Sequence, residues 1–320
     1  MKINNLFVIG SMLIILFIVG CDKDNDPDPP APPPTDTLGT GWQKINIPGN
    51  GNHFNDVFFT DNQVGYICAD KYLAKSIDGG LTWNKFNLPD SLTGHYYNLF
   101  FLDSNNGWVV TPDYIIKTIN GGNTWHKNIH NPGINGIHDV QFVSTTIGFL
   151  ACYSGLFKSI DGGLTWTKMS NLLEVQGLFF FDDNTGWLTY PGYFRKTENG
   201  GAEFTTTKQL TTHNPQHIVQ FTDPQHGWVT GTDGIIWGTT DGGNNWANLG
   251  LGWDLGDLHF FNNNIGIAFS NSRIYKTTNG GTNWVQQAYF QKSDIVEIHY
   301  VDENHGWAAG SDGGLYRFSK

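Results

Sequence analysis

The chain has 320 residues, of which 40 are Gly, 14% are aromatic and only 15% are charged. This composition is typical of many short strands joined by tight turns, and it excludes a mainly helical fold. The formal net charge is −11, and the 15 Lys and three Arg are scattered along the sequence. Because binding to phosphates requires clustered basic side chains, nucleic acid is excluded as a partner.

The N-terminus has the features of a targeting signal. Lys2 is followed by an apolar run from Leu6 to Val19, which is short for a membrane span and typical of a signal peptide. The sequence Ile18-Val19-Gly20-Cys21 resembles the lipobox of bacterial lipoproteins. The resemblance implies that residues 1–20 are removed and that Cys21 is lipidated. A plain signal peptide with an incidental Cys is the alternative.

The segment behind Cys21 is predicted to be a tether. Between Asp22 and Thr37 the sequence contains five Asp and six Pro. Since proline fixes φ and like charges repel, residues 21–40 are expected to be extended and disordered. The acidic run, interrupted by Lys23, also resembles the surface-export signal of Bacteroidota lipoproteins. It implies an outer-membrane lipoprotein on the cell surface, held to the membrane by its lipid alone.

A short motif, S/T-x-D/N-G-G-x-T/N-W, recurs through the rest of the chain. Its five good copies and one degenerate copy are Ser76–Trp83, Thr118–Trp125, Ser159–Trp166, Thr239–Trp246, Thr277–Trp284 and the degenerate Thr197–Phe204. The oxygen of the third side chain accepts N–H groups across a tight turn, and the glycines supply positive φ. The residues predicted to have this structural role are Asp78, Asn120, Asp161, Asn199, Asp241 and Asn279.

A second element repeats about every 40 residues and sets the number of repeats. Its seven copies are Gly65-Tyr66, Gly107-Trp108, Gly148-Phe149, Gly186-Trp187, Gly227-Trp228, Gly266-Ile267 and Gly306-Trp307. An alternating apolar pattern, typical of a strand, precedes each copy. The pattern predicts an all-β fold, a seven-bladed β-propeller of four-stranded antiparallel blades over residues 41–320.

The two ends of the domain are predicted to meet in one blade. The last repeat stops at Tyr316–Lys320 without an outer strand, whereas Gly41–Pro48 matches Thr82–Pro89. The N-terminal strand is therefore expected to complete blade 7 and close the ring.

The repeats resemble those of the BNR or Asp-box propellers, and most those of the photosystem II stability/assembly factor-like family. That family combines F-x-D-x-x-x-G-W with K-T-x-D-G-G-x-T-W, a pattern found here in Phe101–Trp108 and Lys117–Trp125. The resemblance implies the fold and not a photosynthetic role, because similar proteins with secretion signals are general extracellular propellers.

Two enzyme families share the box motif. Sialidases clamp a carboxylate with three Arg, but Arg195, Arg273 and Arg317 lie at non-equivalent repeat positions and the F-R-I-P sequence is missing. Xyloglucanase-type enzymes resemble two such propellers in tandem, with catalytic Asp residues in the cleft between them. No catalytic residue and no cofactor is therefore predicted, and a metal ion is left open.

Polar side chains recur at one position of the predicted inner strands. Asp56, Asp139, Asp257 and Glu297 align there, and Tyr97, His138 and His217 align one residue earlier. Converging carboxylates and imidazoles suit a cation or a sugar. The alternative is that each side chain pairs with backbone or water in its own blade.

Trp253 lies outside the repeat pattern, in the connection between blades 5 and 6. An exposed indole at this place would stack on a sugar ring, whereas a packed loop anchor is the alternative. Together these residues predict a monomeric scaffold that binds a protein or glycan on the face of the blade-connecting loops. A carbohydrate-active enzyme that uses carboxylates such as Asp139 and Asp257 is the alternative function.

Overall fold

In the computed structural model of the protein, the described residues are 38–39, 41–45, 47, 54–69, 72–86, 96, 98–111, 114–128, 133–209, 218–230, 235–250, 255–290, 295–311 and 313–320. They form 28 β-strands and no helix. Within these ranges, therefore, no helix is long and apolar enough to span a membrane.

The strands form seven antiparallel sheets of four strands each, which are the seven predicted blades. From the channel outwards, blades 1 to 3 are β2 (Phe54–Phe59), β3 (Gly65–Ala69), β4 (Tyr72–Ser76), β5 (Asn84–Lys85); β6 (Asn98–Phe101), β7 (Gly107–Val110), β8 (Ile115–Thr118), β9 (His126–Asn128); and β10 (Ile137–Phe142), β11 (Gly148–Cys152), β12 (Gly155–Ser159), β13 (Thr167–Lys168). Blades 4 and 5 are β14 (Gly177–Phe180), β15 (Gly186–Tyr190), β16 (Tyr193–Thr197), β17 (Thr205–Gln209); and β18 (Val219–Phe221), β19 (Gly227–Thr230), β20 (Ile236–Thr239), β21 (Ala247–Asn248). Blades 6 and 7 are β22 (Asp257–Phe260), β23 (Gly266–Ser270), β24 (Arg273–Thr277), β25 (Val285–Tyr289); and β26 (Ile295–Asp302), β27 (His305–Gly310), β28 (Leu315–Ser319), β1 (Trp42–Ile45).

The N-terminal strand closes the ring, as the sequence predicts. β1 pairs antiparallel with β28, in a register that places Trp42 opposite Phe318. The buried Trp42 ring packs edge-on against Phe290 at 5.4 Å and against Tyr300 at 6.3 Å. The first strand of the domain is thus held in blade 7 by a ladder and by aromatic packing.

The repeated Gly-aromatic element joins neighbouring blades. Its ring stacks on an aromatic ring of the next inner strand, as Trp108 does on Phe142 at 3.7 Å and Trp307 on Phe59 at 3.4 Å. The glycine of the element lies against the inner-strand ring of its own blade: a Cβ on Gly107 would overlap the ring of Phe101. The motif therefore repeats because its glycine leaves room for the inner-strand ring of the same blade and its aromatic residue stacks on the next blade.

The boxes are turns between the third and fourth strands. In blade 1, Asp78 Oδ1 accepts the Thr82 N–H and the Ser76 hydroxyl, both at 2.8 Å. Gly79 and Gly80 have φ of 72° and 88°, which favours glycine. Asn120 accepts the Thr124 N–H at 2.9 Å in the same way, so Asp and Asn serve one turn geometry.

Two cysteine side chains lie inside the blades. Cys68 and Cys152 are buried and form no disulfide with each other. Burial raises the pKa of the Cys152 thiol to about 12. Its side chain is therefore a packed thiol and not a thiolate.

Candidate functional site

The inner strands surround a central channel, and their alternation decides which side chains line it. In β22, Leu258 and Phe260 are buried between blades, whereas Asp257 and His259 keep partial exposure. The same alternation occurs in β6, β10 and β26. Because side chains on a strand point alternately to opposite sides, every second residue belongs to the channel wall.

Four of the predicted site residues form a layer of carboxyl groups in this wall. Asp56, Asp139, Asp257 and Glu297 interact electrostatically across the channel. Asp257 and Glu297 each change the pKa of the other. The charge of one carboxylate disfavours ionisation of its neighbour. The four residues that the sequence aligned therefore lie in one layer, and the tertiary structure adds that Asp257 and Glu297 influence each other's pKa.

The surroundings of this acid layer favour its neutral form. Burial, with a smaller contribution from Asp257 and Asp139, raises the pKa of Asp56 to about 8. Burial also raises the pKa of Asp257 to about 7. The pKa of Glu297 is raised well above its ordinary value by burial and by the charge of Asp257. Near neutral pH the layer thus holds protons and carries fewer than four negative charges.

Strand irregularities aim these carboxyl groups. The register shifts between Phe54 and Asp56 in β2, and equivalent shifts precede Asp139 and Glu297. A β-bulge re-aims the side chains beside it. In these three strands the residue before the carboxylate is left out of the ladder, whereas Asp257 pairs with Phe269 without a register shift.

Two carboxylates also bridge neighbouring blades. Asp56 Oδ2 accepts the Leu99 N–H at 2.6 Å, and Asp139 Oδ2 accepts the Leu178 N–H at 3.1 Å. The innermost strand of each blade has one free edge, whose N–H groups need acceptors. Asp56 and Asp139 supply these acceptors from the preceding blade, whereas the alternative interpretation of the sequence expects each side chain to pair within its own blade.

A second layer of polar side chains lies two residues further along the inner strands and is not among the sites predicted from the sequence. Gln141 bonds both backbone groups of Phe180, at 2.7 and 3.0 Å. Gln220 does the same with Phe260, at 2.6 and 3.1 Å. His299 Nε2 donates to the Phe59 carbonyl at 2.9 Å, across the junction of blades 7 and 1. The polar residues Gln141, Gln220, His259 and His299 at one aligned position of the inner strands are the sequence signal for this layer.

The histidines of this layer are neutral. Burial lowers the pKa of His259 to about 4, and burial together with neighbouring His259 lowers that of His299 to about 3. The ring of His299 also packs against that of Phe58, with centroids 4.4 Å apart. These contacts pack the second layer closely against neighbouring side chains, next to the acid layer.

Of the other predicted binding residues, the structure describes only His138. His138 is exposed at the start of β10, and its Nδ1 donates to the Val175 carbonyl at 2.9 Å. Tyr97, His217, Trp253 and the lipidation site Cys21 lie outside the described residues. Among the residues that are described, no three His, Cys, Asp or Glu side chains are arranged to hold a metal ion.

A shallow polar cavity of about 630 Å³ lies on the opposite face, at the box turns. Its lining includes Thr222, Asn263 and Thr278. Asn263 donates to Asp223 Oδ2 at 2.9 Å and accepts from the Thr222 hydroxyl at 2.6 Å. This cavity is not among the sites predicted from the sequence, although the run Asn262-Asn263-Asn264 marks it.

Fold and repeats together define the class: the chain is a seven-bladed β-propeller built from Asp-box repeats. The family model of the photosynthesis system II assembly factor YCF48 matches residues 35–136, which confirms the resemblance that the repeats predict. A search of curated proteins gives no match.

Solved structures of the same fold include two YCF48 proteins. A structure of YCF48 bound to D1 peptide is 19% identical with a TM-score of 0.73, covering 88% of this chain and 97% of that one. YCF48 from Cyanidioschyzon merolae is 16% identical with a TM-score of 0.70, covering 88% and 99%. The GH74 enzyme of Niastella koreensis is 14% identical with a TM-score of 0.65. The match covers 87% of this chain and only 53% of that enzyme.

Proposed function

We propose that this protein is a bacterial envelope lipoprotein whose propeller binds a segment of a protein partner and acts as a binding or assembly scaffold. The observation that carries the proposal is the shared fold with YCF48, which has been solved with a D1 peptide bound. The repeat match over residues 35–136 supports the same family relation.

The proposed contact surface is the mouth of the channel on the blade-connecting face. The acid layer lies one residue inside this mouth, with His138 exposed beside it. Carboxyl groups that hold protons donate as well as accept hydrogen bonds, so the layer suits the alternating N–H and C=O groups of a peptide. Trp253 is proposed as an aromatic contact at the same mouth.

Capture from solubilised envelopes tests this function. The full-length protein is expected to retain a specific protein, and His138→Ala and Trp253→Ala are expected to weaken retention. Asp241→Asn, on the box face, is the matched control because Asn occupies the same box position in blade 2. Capture that is blank, or equal for both channel-mouth variants and wild type, would reject this surface.

A glycan partner and a carbohydrate-active enzyme are the alternative outcomes. Glycosidase carboxyl groups lie about 5–9.5 Å apart to hold a sugar and a water between them. Asp139 and Asp257 are the carboxyl groups that this alternative would use, and burial raises the pKa of both. Retention on a glycan array would favour a glycan ligand, and release of reducing sugar that is lost in Asp139→Asn would favour an enzyme.

The lipid anchor and cell-surface location are part of the proposal and have their own test. Wild-type protein is expected to fractionate with the outer membrane, to carry acyl chains on Cys21, and to be digested by protease added to whole cells. Cys21→Ala is expected to be soluble and unacylated. Membrane association that survives Cys21→Ala would reject the anchor without bearing on the protein partner.

A further inference from the structure

The third strand of six blades carries a basic residue opposite the second residue of the Gly-aromatic element. In these blades the position holds Lys75, Lys117, Lys158, Lys196, Lys276 or Arg317. In blade 5 the same position holds Gly238, which lies opposite Trp228. All seven positions lie in described strands, so blade 5 is the exception among the blades.

These lysines link their blade to the next one. Lys117 Nζ donates to the Thr145 carbonyl at 3.2 Å, and Lys158 Nζ donates to the Asp183 carbonyl at 2.7 Å. The ammonium group of Lys117 also lies 5.0 Å from the centre of the Trp108 ring in its own blade. Each ammonium group thus lies between an aromatic ring and a carbonyl oxygen, both of which attract a cation.

The first glycine of the next box marks the place of the ammonium group. A Cβ on Gly200 would lie 2.6 Å from Lys158 Nζ and next to the Asp183 carbonyl. At the junction of blades 5 and 6 the equivalent glycine is Gly280. Apart from its chain neighbours, the only described atom within 4 Å of a Cβ there is the Asn263 carbonyl oxygen, at 3.0 Å. The Asn263 carbonyl is thus the counterpart of the Asp183 carbonyl, without a lysine of this chain beside it.

The junction of blades 5 and 6 is also more open than the other junctions. The first box glycine of blade 6, Gly280, is partly exposed. Its counterparts in blades 1 to 5 are all buried: Gly79, Gly121, Gly162, Gly200 and Gly242. The polar cavity of about 630 Å³ borders the same junction, because Thr222 comes from blade 5 and Asn263 and Thr278 come from blade 6. A side chain from outside therefore has room to approach the Asn263 carbonyl from the box-turn face.

A carboxylate lies beside this carbonyl. Asn263 Nδ2 donates to Asp223 Oδ2 at 2.9 Å, and His226 Nδ1 donates to the same oxygen at 2.8 Å. Burial alone would raise the pKa of Asp223, but hydrogen bonds from Gln225, His226 and Asn263 outweigh it and hold that pKa well below its ordinary value. Asp223 therefore carries a negative charge at neutral pH, which favours a cation at the junction.

The lysines of the two flanking blades are paired elsewhere. Lys196 Nζ lies 2.7 Å from Glu198 in its own blade, and Lys276 Nζ lies 3.4 Å from Glu303 in blade 7. Neither lysine therefore takes the place that Gly238 leaves open in blade 5.

We propose that the junction of blades 5 and 6 binds a primary alkylammonium group, supplied by a lysine side chain of the protein partner. The ammonium group takes the place that the chain's own lysine takes in other blades, near Trp228 and within reach of the Asn263 carbonyl. This site lies on the box-turn face, opposite the channel mouth, and adds a second contact to the scaffold. Only the origin of the lysine in a partner rests on the proposed function.

Melting temperatures in n-butylammonium chloride test the site, because this probe has the four carbons and the ammonium group of a lysine side chain. At pH 8 the amine is charged, and a ligand that binds the folded chain raises its melting temperature. Wild type is expected to gain a few degrees from the probe relative to Gly238→Lys, whose own ammonium group fills the site. Gly238→Ala is the matched control and should keep the gain. Both variants place a Cβ against Leu249, but alanine adds no charge.

A second variant decides the matter if Gly238→Lys does not fold. Lys158→Gly builds the same kind of site at the junction of blades 3 and 4, and it is expected to gain more from the probe than wild type does. Equal gains in wild type and Gly238→Lys overturn the proposal. So does a Lys158→Gly chain that gains no more than wild type.

Peptide probes identify the source of the ammonium group. A tripeptide with blocked ends and a central lysine should reproduce the gain of butylammonium, whereas the same peptide with norleucine should not. A gain with butylammonium and none with the lysine peptide overturns the assignment to a protein lysine, in favour of a free amine. These measurements use no partner from the envelope, so their failure and a failure of the proposed function are distinguishable.

Discussion

Asp257 and Glu297 lie on the inner strands of neighbouring blades 6 and 7, and the charge of Asp257 helps to raise the pKa of Glu297. Each carboxyl group also accepts a backbone N–H of its own strand, Asp257 from Leu258 at 2.6 Å. Burial raises the pKa of both carboxyl groups, which makes the stability of the ring depend on pH.

The first prediction concerns this pair. The pKa of Asp257 is raised from 3.8 to about 7, so between these pH values the folded chain binds more protons than the unfolded chain and stability falls as pH rises. Asn is neutral at every pH and can still hydrogen-bond, so it does not have to take up a proton on folding. Asp257→Asn is therefore expected to raise the free energy of unfolding at pH 8 by about 1–3 kcal/mol. Denaturant unfolding at pH 4 and pH 8 measures it. The gain should nearly vanish at pH 4.

Asp103→Asn is the control for that series. Hydrogen bonds from Asn106 and Asn105 lower the pKa of Asp103, which gives the opposite dependence on pH. The channel pair is not the cause of the pH dependence if the stability gained by Asp103→Asn grows with pH, or if the stability gained by Asp257→Asn is the same at both pH values.

The second prediction concerns His299. Since burial lowers its pKa to about 3, the unfolded chain takes up a proton below about pH 6.5 that the folded chain refuses, and stability is lost on acidification. Gln takes the equivalent bridging place in blades 3 and 5, so His299→Gln is expected to keep the neutral-pH stability and to resist acid better. Melting temperatures from pH 7 to pH 4 test it, with exposed His126→Gln as a variant that should follow wild type.

The third prediction concerns the boxes. Asp161 accepts the Thr165 N–H at 2.9 Å and the Ser159 hydroxyl at 2.8 Å, and Asn performs the same task at 120. Asp161→Ala is expected to cost about 1–2 kcal/mol of stability because the turn donors lose their acceptor. Asp161→Asn is expected to cost less than half of that. Equal losses in denaturant unfolding would mean that the charge, and not the acceptor, matters.

The fourth prediction concerns the Gly-aromatic element. A Cβ on Gly148 would overlap the ring of Phe142, so Gly148→Ala is expected to destabilise the domain by about 1–3 kcal/mol. Phe142→Leu removes the ring and should recover part of that loss in the double variant. A double-mutant cycle measures the coupling, and strictly additive effects would contradict the steric explanation.

The fifth prediction concerns ring closure. Trp42 is 8% exposed and packs on Phe290 and Phe318 at 5.4 Å. Trp42→Ala is expected to cost about 3–5 kcal/mol, whereas exposed Gln43→Ala on the same strand should cost little. Deletion of residues 41–48 should lower the melting temperature further. An unchanged melting temperature for the deletion would mean that β1 does not close the ring.

The fold was predictable because its determinants are local and repeated. An Asp or Asn four residues before its bonded N–H, as in Asp78 and Thr82, is visible in one short stretch of sequence. The closure by Trp42 was also predictable, since the strand repeats the pattern that begins at Trp83. The alignment of inner strands placed Asp56, Asp139, Asp257 and Glu297 in one layer for the same reason.

The partners of these side chains were not predictable. His299 bonds a carbonyl 240 positions away, at Phe59, and Asp56 bonds the N–H of Leu99 in the next blade. A repeat pattern gives the equivalent positions but not which neighbour satisfies them, because that depends on the distance and angle between blades.

By itself, the sequence determined that seven repeats fold into a closed ring, since turn hydrogen bonds and alternating burial are properties of short segments. Only the tertiary structure decided that burial raises the pKa of Asp257 and that burial and the charge of Asp257 raise the pKa of Glu297, because desolvation depends on atoms contributed by neighbouring blades. It alone also decided that Ile77, Ile119 and Ile160 remain on the surface, since exposure is a property of the assembled ring and not of the box.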